Sequence, residues 1–206
     1  MTNAQALIAF VAAASILTIT PGVDTALVLR SAVGGPRPAS LAALGIALGC
    51  LVWGAAVSVG LGALLAASTT AFTLVRWVGA AYLLFLGLKL IVHPRERFDV
   101  ADASSVPFDQ WRAFRRGLLT NLLNPKIGVF YITFLPQFVP AGVNVAAFSL
   151  LLAAIHVTLG LVWFAVLISA MVPMARALHR SNVVKTMDRV TGAVFVCFGL
   201  KLALSK

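Results

Sequence analysis

Two short stretches carry polar chemistry inside runs that otherwise have almost none. The first is Thr18-Ile19-Thr20-Pro21-Gly22-Val23-Asp24, and the second is Asn121-Leu122-Leu123-Asn124-Pro125-Lys126, which runs on through apolar residues to Phe134-Leu135-Pro136-Gln137-Phe138. A proline cannot donate a backbone hydrogen bond, and inside a helix it frees a carbonyl that lipid cannot satisfy. A carboxylate or an ammonium at bilayer depth is costly unless it is paired or hydrated. Pro21, Gly22 and Pro125 are therefore expected to break helices, with one acid, Asp24, and one base, Lys126, beside the breaks.

Asp24 could hold an amine or a proton, and Lys126 could meet an anionic group such as an α-carboxylate. Together they could pass a proton as a solute enters or leaves. A structural ion pair between two halves of the chain is the alternative for Asp24, and a lysine snorkelling to an interface the alternative for Lys126. Thr20, Asn121 and Asn124 could bind solute or satisfy the carbonyls freed by Pro21 and Pro125. His156 could relay protons or be held by a neighbouring helix. Gln137, close to Pro136 and Pro140, could gate one end of a pathway or serve as an interfacial amide.

The elements that must position these groups follow from composition. Of 206 residues 61% are hydrophobic and 11% charged, with a mean hydropathy of +1.00, too little polar surface to cover a soluble globule. The chain reads as an all-α integral membrane protein. At about 20 apolar residues per crossing, six helices fit, at about Ala4–Leu29, Ser40–Ala67, Phe72–Val92, Gly117–Phe138, Val145–Met171 and Arg189–Leu204. The segment 93–116 holds the one extended polar run and is read as a linker between repeat one (1–92) and repeat two (117–206), the whole forming one transmembrane domain.

The net charge of +10 could suggest a nucleic-acid partner, but the charges flank apolar runs, where they encode topology instead. The loops after helices 1, 3 and 5 hold twelve of the sixteen Lys and Arg, and the other side only Arg76, Lys201 and Lys206. Both termini are thus expected on the periplasmic side. Gly45 and Gly49 form a close-packing face on helix 2. Cys50 and Cys197 lie in apolar runs without ligand spacing, so neither a disulfide nor a metal site is expected. The first apolar run is longer than a signal-peptide core and reads as a retained helix.

A weak duplication runs through the chain. Arg76-Trp77-Val78-Gly79 with the later Gly87-Leu88-Lys89-Leu90 reappears as Arg189-Val190-Thr191-Gly192 with Gly199-Leu200-Lys201-Leu202. Thr20-Pro21-Gly22 aligns in the same order with Asn124-Pro125-Lys126. Because each unit has three helices, the second must enter from the opposite face. The result is a 3+3 inverted repeat with helices 1 and 4 interrupted, and in secondary transporters of that build the solute lies between such helices near mid-bilayer.

Thr20-Pro21-Gly22-Val23-Asp24, Asn121-Leu122-Leu123-Asn124-Pro125-Lys126 and Phe134-Leu135-Pro136-Gln137-Phe138 resemble the signature of the LysE/RhtB family of bacterial amino-acid exporters, over essentially the whole chain. The family often has Pro-Gly-Pro where Pro21-Gly22-Val23 stands here. The resemblance implies an inner-membrane efflux carrier, not an enzyme, for an amino acid or a relative such as homoserine or its lactone, driven by proton antiport and without a bound cofactor. Its partners would be the solute and the bilayer, with a second copy of the chain possible. Two other classes remain open: a membrane redox carrier, which would need paired reactive cysteines, and a non-transporting assembly subunit built on the glycine-rich faces.

Overall fold

The computed structural model describes residues 2–67, 69–95, 109–170 and 180–204. The expected linker therefore lies mostly outside the described residues, as do Arg176 and His179 of the second basic loop. All regular structure among the described residues is helical. The chain is an all-helical membrane protein, and its helices begin and end where local chemistry requires.

Helix α1 (Asn3–Ile19) opens with a capping box, in which the Thr2 hydroxyl accepts from Gln5 N and the Gln5 side chain accepts from Thr2 N. It ends because Pro21 forces the residue before it out of the helical region, and Thr20 is extended at ψ 121°. Helix α2 (Val23–Val33) restarts after an extended Gly22 and leaves at 53° to α1. The expected single weakened helix is thus two helices meeting at a full break.

Helices α3 (Pro36–Ala67) and α4 (Thr69–Val92) follow. Helix α5 (Gln110–Leu122) starts at the Asp109 cap, seven residues before the expected start of helix 4, because Trp111, Arg112, Arg115 and Arg116 extend it as an amphipathic turn. It breaks at Asn124-Pro125. Asn124 caps the short α6 (Pro125–Val129), its side chain accepting from Lys126 N at 3.1 Å, and Pro125 takes the first helical position, where no N–H is needed. The second half bends by 52° from α5.

Pro136 then withholds the N–H that Ile132 would need, and the helix widens into a π turn (Phe130–Phe134) before tightening to a 3-10 turn (Leu135–Phe138). Helix α7 (Val145–Ser169) is capped by Asn144. Helix α8 (Ser181–Leu204) starts eight residues before the expected Arg189, so Asp188, which the expected bounds leave outside the helix, is an interior residue with no exposed surface.

Two described stretches, Pro36–Gly60 and Val145–Ser169, are each long and apolar enough to cross a bilayer, and each bent pair would make one more crossing. Helix α3 packs on both α5 and α7, α4 packs on α8, and α1 lies against α7. Two apolar clusters result. The larger is aromatic and joins Phe10 of α1, Phe130, Tyr131, Phe134 and Phe138 after the second break, and Phe195 of α8. The smaller gathers Val28 and Leu29 of α2, Ile46 of α3, Phe164 and Leu167 of α7, and Val184 of α8.

Candidate functional site

A cavity of about 50 Å³ borders both clusters, with Leu17, Cys50 and Ile127 from one and Ile46 and Phe164 from the other in its wall. Both helix breaks open onto it. Thr20, Gly22 and Asp24 line it from the first break and Asn124 and Lys126 from the second, with His156 and Gly160 of α7 opposite. Of the residues singled out from sequence, Asp24, Lys126, Asn124, Thr20, Gly22 and His156 thus surround one space.

Asp24 sits in the first turn of α2, where a carboxylate is favoured by the free N–H groups of a helix start. It is buried. Its Oδ2 accepts from Asn121 Nδ2 at 2.8 Å, while Oδ1 has no hydrogen-bond partner among the described residues. Asn121 has no exposed surface and stands behind the wall, its amide also reaching Cys50 Sγ at 3.4 Å. It can stand there because position 49 lacks a side chain: a Cβ on Gly49 would come within 2.5 Å of Asn121 Oδ1. The Gly45–Gly49 face read from sequence as a packing surface therefore seats α5, and with it the amide that steadies Asp24.

Lys126 does not pair with Asp24. Its ammonium crosses to the first break and donates to Leu17 O at 3.0 Å and Thr20 O at 3.1 Å, two carbonyls that the missing helix turn leaves without N–H partners. Two of its three donors are so used. The Thr20 hydroxyl is committed as well, donating to Ile16 O at 2.7 Å and meeting the Thr191 hydroxyl of α8. Asn124 is occupied in capping α6.

His156 is held at Nδ1 by the Tyr131 hydroxyl at 3.0 Å and lies against the Phe130 ring, 4.8 Å between centroids. Gln137 lies apart from the cavity wall, and its amide donates to Thr133 O at 3.0 Å, one of the carbonyls loosened by the π turn. Cys50 is buried and Cys197 exposed, and both are free thiols. Among the described residues, no three His, Cys, Asp or Glu side chains gather as metal ligands would.

Sequence reading missed one further group at the breaks. Arg95, which follows α4, binds Asp188 through backbone N and Nε at 2.9 Å and through a terminal nitrogen at 2.5 Å, and the same nitrogen donates to Pro21 O at 2.8 Å. The signal lay in the register of helix 6: extended back to Ser181, the helix places Asp188 three residues before Thr191.

Residues 15–206 match the family model for the LysE type translocator. The chain belongs to that family. Its members are transporters, so this translocator is a transporter and not an enzyme. It is 32% identical to the uncharacterized membrane protein YrhP of Bacillus subtilis, over 98% of this chain and 100% of that protein. It is 30% identical to a leucine efflux protein of Salmonella typhimurium, over 94% of this chain and 92% of the relative. It is 32% identical to a threonine efflux protein of Salmonella typhi, over 91% and 92%. No solved structure matches this translocator.

Proposed function

We propose that this translocator is a secondary carrier that exports an amino acid or a close derivative across the bacterial inner membrane, by alternating access and with proton antiport. The observation that carries the reading is the buried carboxylate of Asp24, steadied on one oxygen by Asn121 and left without a hydrogen bond among the described residues on the other, in a cavity that also holds the Lys126 ammonium. An unpartnered buried polar atom costs about 1–3 kcal/mol, more if charged. A solute ammonium, or a proton in its absence, would relieve that cost, and the exchange of one for the other is what antiport requires. The third donor of Lys126 is available to the α-carboxylate. Thr20, Asn121 and Asn124 act through the backbone and through Asp24. His156, on the wall beside them, is the second proton-coupling group.

The rest of the wall selects the solute. Ile46, Val157, Leu161 and Phe164 make it apolar, and Asp24 is the only acid among its described lining residues. A cationic side chain would find no second carboxylate there, which favours a neutral amino acid, in keeping with the leucine and threonine efflux relatives. With room for about four waters, the cavity must widen to admit such a solute, as alternating access demands.

Packing supports the inverted repeat as the source of that movement. Assigning α1–α2, α3 and α4 to the first unit and α5–α6, α7 and α8 to the second, each second helix packs on the other and each third helix packs on the other. Each first helix packs on the second helix of the opposite unit. Gly87 meets Gly192 backbone to backbone, while Gly199 meets the carbonyl of Ala80, next to Gly79, as an antiparallel pair related by a two-fold axis would. The reading keeps the first unit at 1–92, six crossings and both termini periplasmic, and takes the second unit, expected at 117–206, back to Gln110 where α5 begins. A homodimer remains compatible with it. The redox class loses its basis with a buried and an exposed thiol on separate helices.

Efflux of labelled leucine and threonine from loaded membrane vesicles, at two pH values, tests the proposal. Asp24→Asn should abolish the pH dependence and most of the flux, and Lys126→Ala should raise the solute concentration needed. Wild-type flux in both variants would refute the assignment.

A further inference from the structure

The carbonyls exposed by the first break are shared between two cations that belong to different parts of the molecule. Lys126, from the second break, holds Leu17 O and Thr20 O, and Arg95, from the end of α4, holds Pro21 O. Arg95 is fixed by Asp188, a carboxylate with no exposed surface that lies outside the cavity wall and accepts from both the backbone N–H and the guanidinium of Arg95. One turn further along α8, Thr191 meets the Thr20 hydroxyl. The packed pair α4 and α8 therefore grips the break at a carbonyl and at a hydroxyl.

From these contacts we infer that Arg95 and Asp188 form a latch that keeps the cavity shut on the side of the basic loops, and that the two ends of the pathway are closed by different chemistry. The latch joins the C-terminal end of α4 to the first half of α8, beside the small apolar cluster that includes Val184. On the other side of the cavity stands the aromatic cluster, where Phe134 and Phe138 lie 4.2 and 5.6 Å from Phe198 and Phe10 lies 5.4 Å from Phe138. Aromatic contacts are weakly directional and can slide. A bidentate guanidinium–carboxylate pair has one geometry and lets go all at once. The repeat does not double it, since Val75 stands where the register would put a partner for Asp188. Because Lys126 and Arg95 hold neighbouring carbonyls, a solute carboxylate that draws Lys126 away loosens the segment that Arg95 grips.

The consequence for transport rests on the carrier reading, but the latch can be tested without flux. In a Cys197→Ser background, Cys50 of the cavity wall is the only thiol. Its modification by a membrane-impermeant methanethiosulfonate is followed in vesicles of both orientations. Asp188→Asn should speed modification about tenfold or more from the face of the basic loops and leave the other face unchanged. Arg95→Lys, a milder change that keeps the charge but cannot span both Asp188 oxygens and Pro21 O, should give a smaller increase from the same face. No increase from either face, or an equal increase from both, overturns the latch. If one-sided labelling appears in a protein that moves no solute, the latch stands and the carrier reading falls. If a protein that exports amino acids lacks the one-sidedness, the latch alone falls.

Discussion

Gly49→Ala is the smallest change that should reach the site without touching the cavity. The added methyl would stand 2.5 Å from Asn121 Oδ1 and 2.9 Å from Asn121 Cβ. Since ordinary contact begins near 3.4 Å, the asparagine or the α3–α5 seam must give by about 1 Å, at about 1–3 kcal/mol for overpacking. A shift of that size carries Asn121 Nδ2 from 2.8 Å to beyond hydrogen-bond reach of Asp24. A hydrogen bond to a buried charge is worth about 1.5–3 kcal/mol, so the carboxylate loses its aim and KM for export should rise about 10- to 150-fold. Gly60→Ala is the matched control, on the same helix with nothing within 4 Å of the new methyl, and should leave both KM and Tm near wild type. Efflux kinetics in vesicles and thermal unfolding of the detergent-purified protein read the two effects separately. A Gly49→Ala protein with wild-type KM would refute the claim that Asn121 steadies Asp24.

Other perturbations divide the site by role. Lys126→Ala strips two carbonyls of the first break of their partner, at about 1–3 kcal/mol each, so Tm should drop along with export; a drop in export alone would mean that water replaces the ammonium. Asn124→Ala removes the cap of α6 and should cost about 1 kcal/mol of stability, whereas Asn124→Asp, which keeps the acceptor, should restore Tm. Tyr131→Phe deprives His156 Nδ1 of its partner and should alter the pH profile of efflux while leaving KM at a fixed pH within about twofold; an unchanged profile would remove His156 from proton coupling.

Much of this was legible in the chain because the groups concerned violate the composition around them. Pro21 and Pro125 are conspicuous in apolar runs, and so are Asp24 and Lys126, so both breaks and their charges could be placed before any fold was known. What could not be read was how the charges are satisfied. Lys126 turned out to neutralise carbonyl dipoles rather than Asp24, and backbone acceptors leave no mark on a sequence. Helix starts went astray where polar residues continue a helix beyond the apolar core, at Gln110 and at Ser181, because hydropathy registers lipid contact and not backbone hydrogen bonding. The late start at Arg189 hid Asp188, and with it Arg95, since an acid outside a spanning helix needs no buried partner.

Lys126 holding carbonyls rather than Asp24 also changes what the second break does. Had the two charges met directly, a solute would have to separate an ion pair before it could bind, and each of its charged groups would compete with a full opposite charge. As arranged, the carboxylate keeps one buried oxygen without a hydrogen bond among the described residues, and the ammonium is held by backbone carbonyls of the first break. In the carrier proposed above, an arriving α-carboxylate, carrying a full charge, would outcompete a peptide carbonyl for the ammonium. Leu17 O and Thr20 O would then need new partners; Pro21 has no N–H to give Leu17 O, so the donors must come from water or from backbone brought up by a change in the 53° bend. Under the proposed function, binding energy at one break would become a conformational demand at the other, a coupling that a static ion pair could not supply.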